Sequence, residues 1–567
     1  MTPAHEGGTP ANTAPANTAS ASTASASGAT TGVLASAVRV VSGLTLLSRF
    51  AGLARDVIIA RVLGDTALGS AFRSAYALPN LFRRLFGEGA LSAAFLPEYA
   101  RMSRDDPARA PALASLVIAA LTLATGALTL IIEVILLALL LGSGQDEGRR
   151  TSFALMMLLI PMMPLVCTTA ILGGMLQAHG RFAVSAAAPI LLNLFQITAA
   201  SLYWFGLLPS DRATAYAIAL SALGASLAQV LWSLWALRGR VTWTRGFSAA
   251  RTESRRVLSR FGPVVIGLGA LQLSSMIDMV VAMWPTWVGP TIAGVEFPLD
   301  TRSYAILSFT QTIYQFPLGV FGIAVATAVF PLLSRHASDA DRFVETLRQG
   351  LRLSFFIGLP ATLGLVIVRQ ETVAVLFGGP GGFTADGIDR AADVLAGFAV
   401  AVWAYSLNHV LTRAFYARGD TTTPMRVALV MVAANLALNL VLIWPLREAG
   451  FAWSTACCAT SQCLALALLL ARRHGVHPFD APTLRGMARV ALAAGIMALG
   501  VLLTREGIGR LGLSGWRGDA LLLAAGVGSG AILFAGLARG LRLPEARWLL
   551  QRPPKGAPGE SVPMPME

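Results

Sequence analysis

The chain is predicted to be an all-α, polytopic membrane protein with about fourteen transmembrane helices. Composition points there first. Of its 567 residues 55% are hydrophobic and 13% are charged, where a soluble domain carries about 25% charged residues. Apolar runs of helix length then follow one another along most of the chain. Finally, the arginines gather in alternate connections between those runs, which is how membrane topology is encoded. The net charge of +14 is therefore spread over short loops, and no nucleic-acid partner is expected from it.

A bilayer core about 30 Å thick takes about 20 apolar residues per helix. On that measure the spans fall near 37–62, 66–102, 112–142, 152–177, 183–208, 213–237, 258–284, 302–333, 350–368, 388–415, 424–445, 450–471, 485–504 and 517–538. The first two are the least apolar. The second holds Pro79 and is too long for one straight helix, so a bend with an interfacial part is expected.

The connections set the topology. With the N-terminus in the cytoplasm, the Arg-rich linker 238–257 is cytoplasmic, and the next connection, 285–302, carries only Arg302 and is periplasmic. The connection after it, with Arg335, Arg342 and Arg348, is cytoplasmic again. Both termini are thus expected in the cytoplasm. Residues 1–36 are rich in Ala, Thr, Ser and Pro and lack the apolar core of a signal peptide, so a disordered cytoplasmic tail is expected there; 539–567 is expected to be a cytoplasmic C-terminal tail, disordered over about 551–567. Cys167, Cys457, Cys458 and Cys463 lie in apolar runs without metal-site spacing. The chain contains no Walker-type phosphate loop and no His-Glu-x-x-His pair, so ATP-driven and zinc-hydrolase readings have no support and no cofactor or metal is expected.

Ionisable residues at membrane depth are costly and point to function. Span one holds Arg49, Arg55 and Asp56, with Arg61 at its end; span two holds Arg73, Asn80, Arg83, Arg84, Glu88 and Glu98. At 100° per residue Arg49 and Asp56 share a face, whereas Arg55 needs a second polar surface. Arg49, Arg55 and Arg83 are read as ligands in a water-filled cavity, because a guanidinium fork donates two hydrogen bonds to phosphate oxygens. Arg61, Arg73 and Arg84 are read as snorkelling to the interface. Asp278 and His409 stand at membrane depth either as ion or proton carriers or as buried hydrogen-bonded groups. Asn193, Asn435 and Asn439 are expected to join helices.

The stretches SRFAGLARDVIIARVLG at 48–64 and ALPNLFRRLFGEGALSAAFLP at 77–97 resemble the lipid II flippase family, also called MurJ or MviN, of the multidrug, oligosaccharidyl-lipid and polysaccharide exporter superfamily. GRFAVSAAAPILLNL at 180–194, YQFPLGVFGIAVATAVFPLLSRHA at 314–337 and RAFYARGDTTTPMRVAL at 413–429 extend the resemblance over about 38–540. It implies two pseudo-symmetric six-helix lobes, 37–237 and 258–471, with two C-terminal helices at 485–538 forming a lipid groove. It also implies a multi-pass protein of the bacterial inner membrane that flips lipid II, an undecaprenyl-diphosphate-linked substrate, to support cell-wall synthesis. Arg49, Arg55, Arg83 and Asn80 become substrate-binding candidates, and Asp56, Glu88 and Asp278 gate or ion-coupling candidates. Na+, H+ or the membrane potential would drive transport, and membrane lipids are the other partners.

Two departures stand out. Ser70 occupies a position where many members have Asp, and Thr310, Gln311 and Thr312 replace an Ala-Asp-Arg whose Arg counts among the diphosphate ligands. Either Arg49, Arg55 and Arg83 suffice, or another residue compensates, or the substrate differs. The alternatives are a flippase for another polyprenyl-linked polysaccharide, a drug/ion antiporter of the same superfamily, and a non-transport scaffold for cell-wall synthesis.

Overall fold

Twenty helices make up the computed structural model, which describes residues 19–85, 91–513 and 515–550. In the first half they are α1 (Ala19–Leu63), α2 (Ala67–Phe82), α3 (Leu91–Asp105), α4 (Ala110–Gly142), α5 (Glu147–Leu159), α6 (Met162–Ala178), α7 (Phe182–Trp204) and α8 (Asp211–Leu237). The second half has α9 (Arg251–Ala282), α10 (Trp284–Trp287), α11 (Ser303–Pro317), α12 (Ile323–Arg335), α13 (Ala340–Ile367), α14 (Arg369–Phe377), α15 (Ala385–Ala417), α16 (Thr422–Leu446) and α17 (Ala449–His474). Last come α18 (Ala481–Gly509), α19 (Trp516–Gly540) and α20 (Pro544–Leu550). A two-stranded hairpin, Thr291–Ile292 with Val295–Glu296, caps the connection before α11.

Among the described residues ten helical segments are long and apolar enough to cross a bilayer, and they match ten of the fourteen expected spans. The other four expected spans behave differently. Span one is helical but carries four arginines and an aspartate. The 66–102 span is two helices, α2 and α3. The 258–284 span lies within α9, whose described apolar part is Gln272–Ala282. The 302–333 span is α11 and α12 joined by a π-helical turn, Leu318–Gly322, just after Pro317. Pro removes a ladder hydrogen bond and such turns mark functional sites. One expectation is corrected: residues 19–36, placed by composition in a disordered tail, belong to α1. The stretch is Ala-rich and free of Pro, and adding residues to a nucleated helix costs little. Residues 1–18 and 551–567 lie outside the described residues.

The helices pack as two lobes. In the first, α1 packs on α7, α7 and α6 on α8, and α2 on α5; in the second, α15 is wrapped by α13, α17 and α11. The distribution of core defines the relation between them. One continuous core joins Ile59, Phe72 and Leu155 of the first lobe to Phe309, Phe377, Phe398 and Phe451 of the second. It lies at the end that carries the 64–66, 285–302 and 378–384 connections. Toward the opposite end each lobe has its own core, around Phe95, Leu113 and Ile171 in the first and around Phe343, Leu347 and Phe415 in the second. The lobes therefore meet at one end and part toward the other.

The joined end is held by polar contacts as well. Gly64 turns the chain at φ +62, and a Cβ there would sit 2.9 Å from the Gly382 carbonyl. Only glycine tolerates both. The turn delivers Asp65, 1% exposed, to the second lobe. Its carboxylate accepts from the Thr384 amide and hydroxyl, both at 2.8 Å, and pairs with Arg302. Arg302 Nε donates to the Asp65 carbonyl at 2.8 Å. Ser70 accepts from the amide of Ala305 at 3.0 Å, so a neutral hydroxyl serves the start of α11. Asp300, beside this cluster, is opposed by burial, yet Arg390, the Arg302 amide and the Ser303 hydroxyl hold its pKa down to about 2. It stays charged well into acid pH.

α18 and α19 pack on each other and lean on α13 and α14, with Arg505 Nε donating to Glu371 at 2.6 Å. Their outer faces expose Leu499, Leu503 and Ile532, the pattern of helices bathed in lipid. Arg352 Nε pins α20 through the buried Glu545 at 2.7 Å.

The latch gives a test. A Cβ at Gly387 would lie 2.1 Å from Asp65 Oδ2. Gly387→Ala is expected to drive Asp65 from its partners and cost about 3 kcal/mol, as for a broken buried ion pair. Thermal melting of the purified protein checks it, and an unchanged melt contradicts the latch.

Candidate substrate cavity

Between the parted lobes lies a cavity of about 290 Å³, walled by α1, α2, α9, α11, α15 and α17. This explains why spans one, two and eight look least like lipid-facing helices: each gives a polar face to it.

Asp56 on α1, 5% exposed, is the focus. Arg55 grips it through Nε at 2.9 Å and Nη2 at 2.7 Å. From α11, Thr312 donates to Asp56 Oδ2 at 3.1 Å. From α2, Arg73 Nη1 approaches Oδ1 at 3.4 Å. The second polar surface that Arg55 requires is supplied by α7 and α2: Nη1 donates to Asn193 Oδ1 at 2.9 Å and to the Tyr76 hydroxyl at 3.2 Å. Asn193 itself ties back to the Ser48 carbonyl at 3.2 Å.

Arg84, Asn80, Gln311 and Asp278 add to the polar lining, along with Gln272, Ser275 and Gln315. Asn80 Nδ2 donates to the Tyr76 carbonyl at 3.2 Å. Asp278 of α9 accepts from Asn439 Nδ2 at 2.7 Å, and Asn439 connects on to Asn435 and Ser454. Among the described residues the wall carries three guanidinium groups (Arg55, Arg73, Arg84) and two carboxylates (Asp56, Asp278), and at Asp56 itself two guanidinium groups share one carboxylate.

The other candidates lie elsewhere. Arg49 is exposed on α1, with its guanidinium against Gly319 in the π-helical turn. It therefore touches the second lobe without lining the cavity. Arg83 lines a different pocket of about 360 Å³ inside the first lobe, with Gln177, Ser185, Gln229 and Ser233. Its Nε donates to Asn80 Oδ1 at 3.3 Å, which links the two spaces. Glu88 lies outside the described residues. Arg61 behaves as expected of an anchoring arginine, with Nε donating to the Leu376 carbonyl at 3.0 Å and its guanidinium 5.9 Å from the Trp516 ring centroid. Arg73 and Arg84, read from sequence as snorkelling, line the cavity instead. The signal was in the spacing: residues 73, 80 and 84 repeat at seven and four and share one helical face. Arg83, one residue before Arg84, is turned about 100° away.

With this geometry in place the chain can be set beside known proteins. The family model described as "Lipid II flippase MurJ" matches residues 59–510. The chain belongs to the lipid II flippase MurJ family. It is a multi-pass membrane transporter and not an enzyme. A probable lipid II flippase MurJ of Vibrio cholerae is 30% identical over 476 residues, covering 81% of this chain and 86% of that protein. The lipid II flippase MurJ of Burkholderia cenocepacia is 28% identical over 478 residues, covering 82% and 89%. Among solved structures, a lipid II flippase MurJ in an inward closed conformation superposes with TM-score 0.72 at 21% identity, covering 88% of this chain and 99% of that one. An inward-facing multidrug resistance MATE family transporter of the MOP superfamily superposes with TM-score 0.63 at 14% identity, covering 77% and 98%. These two likenesses concern the fold. In this flippase family member, the fold they share places the cationic cavity where the lobes part.

Gly319 tests the role of Arg49. A Cβ there would lie 1.9 Å from Arg49 Nη1, so Gly319→Ala must displace that flexible side chain. Arg49→Ala and Gly319→Ala are each expected to slow flipping about tenfold, and the double variant no further, because both remove one interaction. Additive losses in a flipping assay contradict the pairing.

Proposed function

We infer that this flippase carries lipid II from the cytoplasmic to the periplasmic leaflet of the bacterial inner membrane by alternating access. The carrying observation is the cationic cavity between two lobes that share a core at one end only. A polar headgroup needs such a chamber while its lipid tail stays in the bilayer. Arg55 and Asn80 face the chamber and would contact the headgroup, whose diphosphate suits a guanidinium fork. Arg49, at the lobe seam, and Arg83, in the adjoining pocket, would act on the lobes' relative position rather than on the phosphates. Both termini would lie in the cytoplasm, which puts the joined, Asp65-bearing end in the periplasm. The groove beside α18 and α19 would take the lipid tail.

The two guanidinium groups that share Asp56 speak against a drug/ion antiporter, which favours a carboxylate-lined cavity. Outward movement of an anionic lipid gains about 2.3 kcal/mol per charge for every 100 mV of inside-negative potential. Asp278, with Asn439 and Asn435 beside it, is the candidate for coupling to Na+ or H+.

Complementation tests the reading. In a bacterium depleted of its own lipid II flippase, the wild-type chain is expected to restore growth and Arg55→Ala to fail at equal expression. Growth with Arg55→Ala contradicts the cavity as the transport route.

A further inference from the structure

The wall of α11 that faces Asp56 is neutral: Thr312 and Ser308 stand there. The charge at this spot comes from the opposite lobe. Arg73 leaves α2 and crosses the gap, where Nε donates to the Ser308 hydroxyl at 3.1 Å and Nη2 to the Ser308 carbonyl at 3.0 Å. Its plane lies over Phe309, 4.7 Å from the ring centroid. Those contacts fix the guanidinium with Nη1 toward the cavity, where its approach to Asp56 is the longest of the three, at 3.4 Å. Asp56 is already held twice by Arg55 at under 3.0 Å. One carboxylate thus serves two guanidinium groups, and the cluster keeps one uncompensated positive charge. Both cations stand on the first lobe, yet Arg73 also ties that lobe to the α11 backbone at Ser308.

We propose that Arg73 is the second diphosphate-binding residue of this flippase, and that engaging the ligand loosens its tie to Ser308 of α11. The proposal rests on the cavity being the headgroup site. A diphosphate has two phosphoryl groups, and Arg55 and Arg73, which meet at Asp56 Oδ1, can take one each. Arg55 alone serves a monophosphate. Because two nitrogens of the Arg73 fork donate to Ser308, a ligand that recruits them must compete with a contact between the lobes. Binding energy is thereby passed to lobe separation, and a ligand with one phosphate forgoes that coupling.

The test uses the full chain in nanodiscs, with farnesyl diphosphate and farnesyl monophosphate as probes. Arg73→Ala is expected to weaken diphosphate binding about tenfold and monophosphate binding no more than about twofold, since one charge-assisted contact is lost in the first case only. Arg73→Lys, which keeps the charge and loses the fork, should fall between. Adding Thr312→Arg to Arg73→Ala returns a guanidinium beside Asp56 from the other wall and should restore diphosphate selectivity. A merely structural role for Arg73 would not be rescued this way. Where Arg73→Ala does not fold, Arg73→Gln carries the same comparison. If Arg55→Ala loses diphosphate binding while Arg73→Ala and Arg73→Gln keep it, the proposal is overturned and the cavity reading stands. If none of these variants changes binding, both fall.

Discussion

Charge is costly at membrane depth, and Asp56 is where this chain meets that constraint. A single carboxylate draws Arg55 from its own helix, Arg73 from α2 and Thr312 from the other lobe. Isolated, each guanidinium would cost several kcal/mol in a low-dielectric setting. Grouped around one anion they become tolerable, and the group stays cationic. The arrangement also decides geometry, since satisfying Asp56 requires α1, α2 and α11 to approach one another. The cavity is the space those helices enclose on its cytoplasmic-facing flank in the proposed orientation.

The rest of the fold follows from how apolar surface is shared. At the Asp65 end the two lobes bury a common core and reinforce it with the Asp65, Arg302 and Thr384 cluster. At the other end each lobe keeps a core of its own. A transporter of this design is stiff within lobes and conditional between them. Away from that shared core, polar contacts such as those of Arg73 with Ser308 and of Thr312 with Asp56 join the lobes, so a ligand that competes for them can shift the balance.

Much of this was legible in the sequence. The ten most apolar spans could be read directly, because lipid demands long uninterrupted apolar helices. Pro79, in a run too long for one straight helix, signalled that the second span is not a single helix, and it is α2 and α3. Arg55 and Asp56 were identifiable as charges with no lipid-compatible role. Other assignments failed for particular physical reasons. Arg49 shares a helical face with Asp56, but α1 is long and that face leaves the cavity before it reaches Arg49. Arg83 and Arg84 are neighbours in sequence and were assigned by motif; their 100° separation sends only Arg84 into the cavity. Arg73 was taken for an interfacial anchor because nothing local says that Ser308 and Phe309, more than two hundred residues away, receive its side chain. The helical start of α1 was hidden by a Thr/Ser/Ala composition that suits both a tail and a helix continued from its C-terminal side.

The account stands or falls on where the diphosphate goes. A cryo-EM map of the protein in lipid nanodiscs, determined with undecaprenyl diphosphate present and absent, addresses that directly. Ligand density between Arg55 and Arg73, within hydrogen-bond reach of both and next to Asp56, is the predicted result. Phosphate density confined to the Arg83 pocket or to the outer surface, with the Asp56 cluster unchanged, would contradict it.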